Sequence, residues 1–201
     1  MVTNKRHLTT LLNQFKTSGN WLISRENDSV LEILLNDVRK RPSKITIARF
    51  ANTLNSYYNA GLRYERGSML KVVEIINQQW KKGLKLGEIY EGQDVNTNKV
   101  DKLRSIFYNN LTKDYYSYVT KIFHQLNSQY PIYDRLMIGF LKKEKTLIKN
   151  NIKNYEYAMF LESVTATMHK YKWNPEDVNG FDNAIWVYMN GERITSAGKS
   201  K

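Results

Sequence analysis

Hydrophobic side chains recur every three or four positions along most of this chain, the spacing that places them on one face of an α-helix. In "SKITIARFANTLNSYYNAG" the shared face carries Ile47, Ala51, Leu54 and Tyr58, and Ser43 stands where a helix N-cap is expected. The pattern therefore predicts an amphipathic helix that begins directly after Ser43.

The same spacing continues on both sides of this segment. "SMLKVVEIINQQWKKG" predicts a helix with Ser68 as its N-cap and Gly83 as its terminator, and "DSVLEILLNDVRKR" predicts an earlier helix that is stopped by Pro42. Further helices are predicted in "NKVDKLRSIFYNN", "TKDYYSYVTKIFHQLN", "RLMIGFLKKEKTLIKN", "NYEYAMFLESVTATMHKYKW" and "NPEDVNGFDNAIWVYMNG", the last with Trp186 as its anchor. No stretch alternates apolar and polar residues convincingly, so we predict an all-α fold.

One segment interrupts the helical spacing. "GLKLGEIYEGQDVN" contains three of the ten glycines and has no apolar stripe, which is typical of a hinge or a connection. We therefore predict a single helical domain over 1–201, with lobes at 1–83 and 97–195 that are joined by 84–96.

Composition narrows the range of partners. Hydrophobic residues make up 41% and charged residues 25%, as in ordinary globular proteins. The formal net charge is +12, which favours polyanions or anionic membrane surfaces. A protein that is merely rich in lysine would carry the same charge, so the charge alone does not choose a partner.

The absence of certain residues and motifs excludes several kinds of chemistry. The chain has no cysteine, no GxxxxGK[ST] loop, no GxGxxG and no GxSxG, and its three histidines lack metal-ligand spacing. We expect no cofactor and no metal. The stretch "MVTNKRHLTTLLNQFK" has no apolar signal core and no small-residue cleavage site, and no stretch approaches the length of a membrane span. We therefore expect a cytoplasmic location and no membrane partner.

The stretch "KIFHQLNSQYPIYDR" holds the best candidates for chemistry. Lys121 lies off the predicted apolar face of its helix, and Asp134 stands where it would cap the next helix, thirteen positions later. The two side chains could face one cleft. The residues alone leave two simpler interpretations open, in which the aspartate is only a cap and the lysine is only solvated.

The longer stretch "YSYVTKIFHQLNSQYPIYDRLM" resembles the hairpin and catalytic helix of the helix-hairpin-helix DNA glycosylases, especially the 8-oxoguanine branch. Thr120 and Lys121 match that family's Thr-Lys pair, and Pro131-Ile132-Tyr133-Asp134 matches its Pro-Val-Asp motif. The chain is also similar to small bacterial proteins that share "YSxxTK…YPIYD" and a terminal Asp…Trp helix, here Asp182 and Trp186. The hairpin glycines are missing, the lysine and aspartate are closer together than usual, and Arg135 replaces a small polar residue.

The resemblance implies a two-lobed helical fold that binds duplex DNA and excises a damaged or modified base, either in repair or in defence against phage. Asp134 would stabilise the positive charge that builds on the sugar, and Lys121 would attack C1′ to form a Schiff base. Two alternatives stay open, a DNA-binding protein that has lost the chemistry and a basic module that binds another protein.

Several residues are expected to contact DNA. The resemblance adds Thr120 and Arg135 to the candidates. Two basic segments could bind phosphates, although a solvated face would explain each of them equally well. The first contains Arg39, Lys40, Arg41, Lys44 and Arg49, and the second contains Lys142, Lys143, Lys145, Lys149 and Lys153.

Overall fold

A computed structural model describes residues 4–17, 19–58, 67–111, 113–148 and 156–197, and within these ranges it contains helices and no strand. The all-α prediction is confirmed for this part of the chain. The α-helices are α1 (Lys5–Lys16), α2 (Gly19–Lys40), α3 (Lys44–Tyr57), α4 (Ser68–Lys81), α5 (Thr97–Asn110), α6 (Tyr116–Leu126), α7 (Arg135–Lys143), α8 (Tyr157–Lys170) and α9 (Val178–Ala197).

The chain divides into two compact units. One, the central unit, is continuous and comprises Ser24–Tyr130, while the other, the terminal unit, combines Met1–Ile23 with Pro131–Lys201. The segment 84–96, which the glycine content predicted as a connection, lies inside the central unit and contains a single 3-10 turn at Leu86–Glu88.

Local sequence signals account for several helix ends. Ser43 caps α3, and its side chain and that of Thr46 form a reciprocal capping box. The predicted cap at Ser68 is wrong by one position, because Gly67 is the N-cap and takes φ = 79°, a left-handed conformation that suits glycine. The helix that follows Asp134 was predicted to run to residue 150, but α7 ends at Lys143.

The core of the central unit forms where α3 packs against α4 and α6, with α5 beside α4 and α6. Phe50, Ile76 and Phe107 are fully buried there. The Tyr118 hydroxyl donates a hydrogen bond to the Ala51 carbonyl at 2.8 Å, and burial raises the pKa of Tyr118 far above its usual value. The predicted apolar face of α6 is confirmed by the burial of Val119, Ile122 and Leu126.

In the terminal unit, α9 packs against α1 and α7, and α7 also contacts α8. The centroid of the Phe140 ring lies 5.9 Å from that of Tyr171, 6.4 Å from that of Phe181 and 5.8 Å from that of Tyr188. Trp186, the predicted anchor of α9, packs against Phe15 of α1 with the ring centroids 5.6 Å apart. It is nonetheless 47% exposed, and the buried positions of α9 fall on the other face of the helix. No described helix is long and apolar enough to cross a membrane.

Candidate functional site

The face of α6 opposite its fully apolar stripe carries polar side chains. Lys121, His124 and Gln125 are three and four positions apart, so they lie next to one another along one side of the helix. Lys121 exposes only 6% of its surface and His124 only 8%. Buried lysines are rare because an ammonium group loses much of its hydration, which makes this face unusual.

The Lys121 amine lies over an aromatic ring from the end of α3. Its Nζ is 5.1 Å from the centroid of the Tyr58 ring, a distance at which the ring face attracts a cation. The Tyr58 hydroxyl accepts a hydrogen bond from Nε2 of Gln125 at 3.1 Å, and its ring packs against Tyr57 with the centroids 4.7 Å apart. The position of this ring is therefore fixed from two sides.

His124 is held in one tautomer by the backbone. Its Nδ1 lies 2.8 Å from the carbonyl oxygen of Tyr130, and a carbonyl can only accept a hydrogen bond. Nδ1 therefore carries a proton, and Nε2 is the nitrogen that gains or loses one as the ring titrates. The tautomer is set by a loop that follows α6 rather than by a side chain.

That loop is itself fixed by buried polar contacts. Asn127 is fully buried, and its side chain donates to the carbonyl of Gln93 at 2.9 Å and accepts from the amide of Gln129 at 2.9 Å. The Tyr130 hydroxyl accepts a hydrogen bond from the amide of Asn96 at 2.8 Å. These contacts hold the Tyr130 carbonyl in the place where it orients His124.

A carboxylate from α2 completes the cluster. Desolvation raises the pKa of Asp28, and a hydrogen bond with Tyr57 and the nearby charge of His124 oppose this increase. Although Asp28 is an exposed residue, the loss of water around its carboxyl group outweighs both opposing effects. Such a carboxyl group releases its proton less readily than an ordinary aspartate, which suits an acid–base role.

The five side chains Asp28, Tyr57, Tyr58, Lys121 and His124 thus form one cluster in the central unit, hereafter the Lys121 cluster. It combines a buried amine, an imidazole with a fixed tautomer, a carboxyl group with a raised pKa and two aromatic rings. These are the components of nucleophilic catalysis with proton transfer. Among the described residues, no group of three acidic, histidine or cysteine side chains could hold a metal ion.

Asp134 lies in the terminal unit and caps α7, as its sequence position predicts. Its Oδ1 accepts hydrogen bonds from the amides of Leu136 at 2.8 Å and Met137 at 2.9 Å. The preceding segment is fixed by Tyr157, whose hydroxyl donates to the Pro131 carbonyl at 2.8 Å. Because Lys121 belongs to the central unit, the expectation that the two residues face one cleft stays a prediction.

The predicted DNA contacts of the central unit differ in their burial. Thr120 is fully buried, and its hydroxyl donates to the Ser117 carbonyl. The Arg39 guanidinium donates to the carbonyls of Ile89 at 2.9 Å and Leu126 at 3.2 Å, so it joins two segments of the fold.

The remaining candidates of this unit lie at the surface. Lys44 forms an exposed ion pair with Glu74 at 3.1 Å, which leaves its ammonium open to solvent and to other anions. Lys40, Arg41 and Arg49 are exposed. Exposed cations of this kind are available for phosphate contacts, whereas Arg39 and Thr120 serve the fold.

The predicted DNA contacts of the terminal unit that the structure describes are all exposed. Arg135, Lys142 and Lys145 are exposed. Lys143 is also exposed, and its ammonium donates a hydrogen bond to the Tyr188 hydroxyl and lies 4.7 Å from the centroid of that ring. Lys149 and Lys153 lie outside the described residues.

Sequence reasoning identified Lys121 but missed Asp28, Tyr58 and His124 as its neighbours. His124 was weighed only as a metal ligand, and its position three residues after Lys121 was the signal that could have joined them. Asp28 carries no local signal, because only the tertiary packing of α2 brings it close to α6. No protein-family model, no curated protein and no solved structure matches this chain.

Proposed function

We propose that this chain binds duplex DNA and excises a damaged or modified base, with the amine of Lys121 as the nucleophile. The observation that carries the proposal is the burial of Lys121 in a cluster with His124, Asp28 and Tyr58. A protein retains such a desolvated amine at a cost in folding free energy, and buried ionisable groups cluster at functional sites.

The proposed reaction assigns a part to each group. The neutral amine of Lys121 attacks C1′, and the electrons of the C1′–N bond leave with the base, which takes up a proton. Opening of the sugar ring then moves a proton to O4′ and leaves a C1′=N Schiff base. We assign these proton transfers to Asp28 and His124, the two other titratable groups of the cluster besides the tyrosines, and the raised pKa of Asp28 supports its role as the acid.

The aromatic side chains of the cluster support the choice of substrate. A base must leave the stacked duplex before its glycosidic bond can be attacked, and enzymes that extrude bases hold them against aromatic rings. Tyr57 and Tyr58 are half-buried and adjacent at the end of α3. The formal charge of +12 supports DNA as the partner.

A glycosylase-like helical fold and a second catalytic residue, Asp134, also belong to this proposal. A carboxylate that is fixed in place by two backbone amides can stabilise a positively charged sugar beside it. Repair of damaged DNA and defence against phage DNA with modified bases would both use this reaction.

Borohydride trapping tests the proposal directly. The protein is incubated with duplexes that each contain one modified base, and borohydride then reduces any Schiff base to a stable protein–DNA adduct. We expect an adduct with at least one duplex, and we expect Lys121→Gln to abolish it. Lys143→Gln is the matched control, because Lys143 also lies over a tyrosine ring but is exposed. An adduct that persists in Lys121→Gln would refute Lys121 as the nucleophile. So would the absence of any adduct between the wild-type protein and every duplex.

A second function is favoured by one specific observation. The Asp134 carboxylate already accepts two amide hydrogen bonds, which is what a purely structural cap does. The alternative is a DNA-binding protein without catalytic activity. It predicts binding of every duplex, no adduct with any of them, and equal affinities for wild type and Lys121→Gln.

A further inference from the structure

Three residues other than glycine have positive φ in the described part of the chain, and all three are lysines. They are Lys85 with φ = 52°, Lys145 with φ = 57° and Lys172 with φ = 53°. This left-handed conformation brings the Cβ atom of an ordinary residue too close to its own backbone, so glycine and asparagine normally occupy it. A lysine at such a position is strained, and strained residues cluster at functional sites.

Two of these lysines end helices in the same way. After α7, the amide of Lys145 donates to the Lys142 carbonyl at 3.1 Å and the amide of Thr146 to the Leu141 carbonyl at 3.0 Å. After α8, Lys172 donates to His169 at 2.9 Å and Trp173 to Met168 at 2.9 Å. This is the helix termination in which glycine is the usual residue.

The two helix ends are tied to each other within the terminal unit. The Lys170 ammonium donates to the backbone carbonyl of Glu144 at 3.1 Å and forms an ion pair with its carboxylate at 2.7 Å. The hydroxyls of Thr167 and Thr146 are hydrogen-bonded at 2.7 Å. Lys145 and Lys172 are therefore carried on neighbouring helix ends.

The start of α1 joins the same region. The Lys5 ammonium donates to the carbonyl of Lys172 at 2.7 Å, which places a third exposed lysine there. The carboxylate of Glu144 is paired with the Lys170 ammonium, so these two charges offset each other. The helix dipole also favours cations near a helix C-terminus. A lysine in the last turn of the helix would gain the same stabilisation without backbone strain, so the dipole does not explain the strained position.

We propose that Lys5, Lys145 and Lys172, hereafter the strained-lysine surface, bind the phosphate backbone of duplex DNA. The proposal rests on the proposed function for its partner and adds where that partner is held. Ammonium groups on flexible stems fit phosphates as point charges, and an accumulation of cations attracts a duplex whatever its sequence. Glycine at either strained position would suit the backbone better but would remove a phosphate contact.

Glycine substitutions separate stability from binding. Lys145→Gly and Lys172→Gly relieve the backbone strain, so we expect each to raise Tm by about 2 °C in a chain of this size. The double variant loses two phosphate contacts, so the slope of log affinity against log salt should become shallower by about 2. Thermal unfolding and fluorescence anisotropy with a labelled unmodified duplex measure the two quantities.

Lys85→Gly is the matched control. Lys85 is equally strained and exposed, but it lies in the central unit and pairs with Glu88 at 3.3 Å. It should gain stability while keeping the wild-type salt slope. In the second control, Lys145→Arg with Lys172→Arg keeps both charges and the strain, so both the slope and Tm should stay near wild type.

The outcomes distinguish this surface from the proposed chemistry. The proposed surface is overturned if the double glycine variant keeps the wild-type salt slope, or if Lys85→Gly makes that slope equally shallow. Either result leaves the proposed function standing. A shallower slope without any borohydride adduct supports the surface and refutes the chemistry. A wild-type protein that does not bind duplex DNA refutes both.

Discussion

The central unit buries a lysine, Lys121, and a histidine, His124, and partly desolvates the carboxyl group of Asp28. In the terminal unit, no described lysine, arginine, histidine or carboxylate is buried, and its strained lysines are exposed. Both units contain unusual lysines. For Lys121 in the central unit the cost is desolvation of the amine. For Lys145 and Lys172 in the terminal unit, as for Lys85 in the central unit, the cost is a left-handed backbone.

The two costs suit different tasks. A charge removed from water interacts strongly with its neighbours over short distances, which is what a reacting atom needs. A charge left in water acts weakly on any one partner, yet several together attract an extended polyanion. The difference is consistent with the proposed chemistry at the Lys121 cluster and with the proposed attraction of DNA by the strained-lysine surface.

The largest expected effect comes from replacing the buried amine by a side chain of similar size. Lys121→Met should lower the yield of trapped adduct at least about 1000-fold, because the nucleophile is gone. It should not lower the free energy of unfolding, since methionine fills the space without a desolvated charge. Borohydride trapping and urea unfolding measure the two effects. A marked loss of stability would show that Lys121 is a structural residue and would remove the contrast between the units.

Asp134 tests whether the terminal unit contributes to the chemistry. Asp134→Asn should preserve the cap and change the free energy of unfolding by less than about 0.5 kcal/mol, whereas Asp134→Ala should cost about 1 kcal/mol. If the carboxylate stabilises the charged sugar, Asp134→Asn should slow base excision about 100-fold. Urea unfolding and single-turnover kinetics measure these quantities. Full activity in Asp134→Asn would leave all of the chemistry in the central unit.

The smallest effect concerns Asp28 and depends on pH. Desolvation raises the folded-state pKa of Asp28 above 3.8. Protonated Asp28 therefore stabilises the folded state below pH 3.8, and this contribution is lost as the pH rises through the folded-state pKa. Asp28→Asn should therefore increase the free energy of unfolding at pH 7, by less than about 1 kcal/mol because solvent screens an exposed residue. The difference should vanish below pH 3.8. Urea unfolding at the two pH values measures it, and a stability loss at pH 7 would contradict the desolvation of Asp28.

Much of the helical architecture could be predicted because its signals are local. Ser43 and Asp134 were recognised as caps from the type of residue and the apolar run that follows each of them. The error at Ser68 arose because serine is a common cap, whereas Gly67 takes a left-handed conformation that the sequence does not reveal. α7 was predicted too long because a lysine gives no sign that it will adopt the conformation of a terminating glycine.

The candidate site was harder to predict because its parts come from three helices. Lys121 stood out through its neighbours in the sequence, and His124 shares its helix. Tyr58 and Asp28 join them only after α2, α3 and α6 have packed, and no periodic pattern encodes that contact. For Trp186 the sequence suggested too much burial. A large aromatic residue favours the core, but the register of α9 leaves Trp186 47% exposed.

The discontinuity of the terminal unit has a consequence for the order in which the chain folds on the ribosome. Residues 24–130 are contiguous, so the central unit can close as soon as they have emerged. α1 must wait, because the lysine at its start bonds to Lys172, which is 167 positions further along. At about 5–20 residues per second this delay is roughly 10–30 s. During that time Leu8 and Leu12, both buried in the finished fold, lack their partners, so a translational pause after residue 130 would prolong their exposure to chaperones and to aggregation.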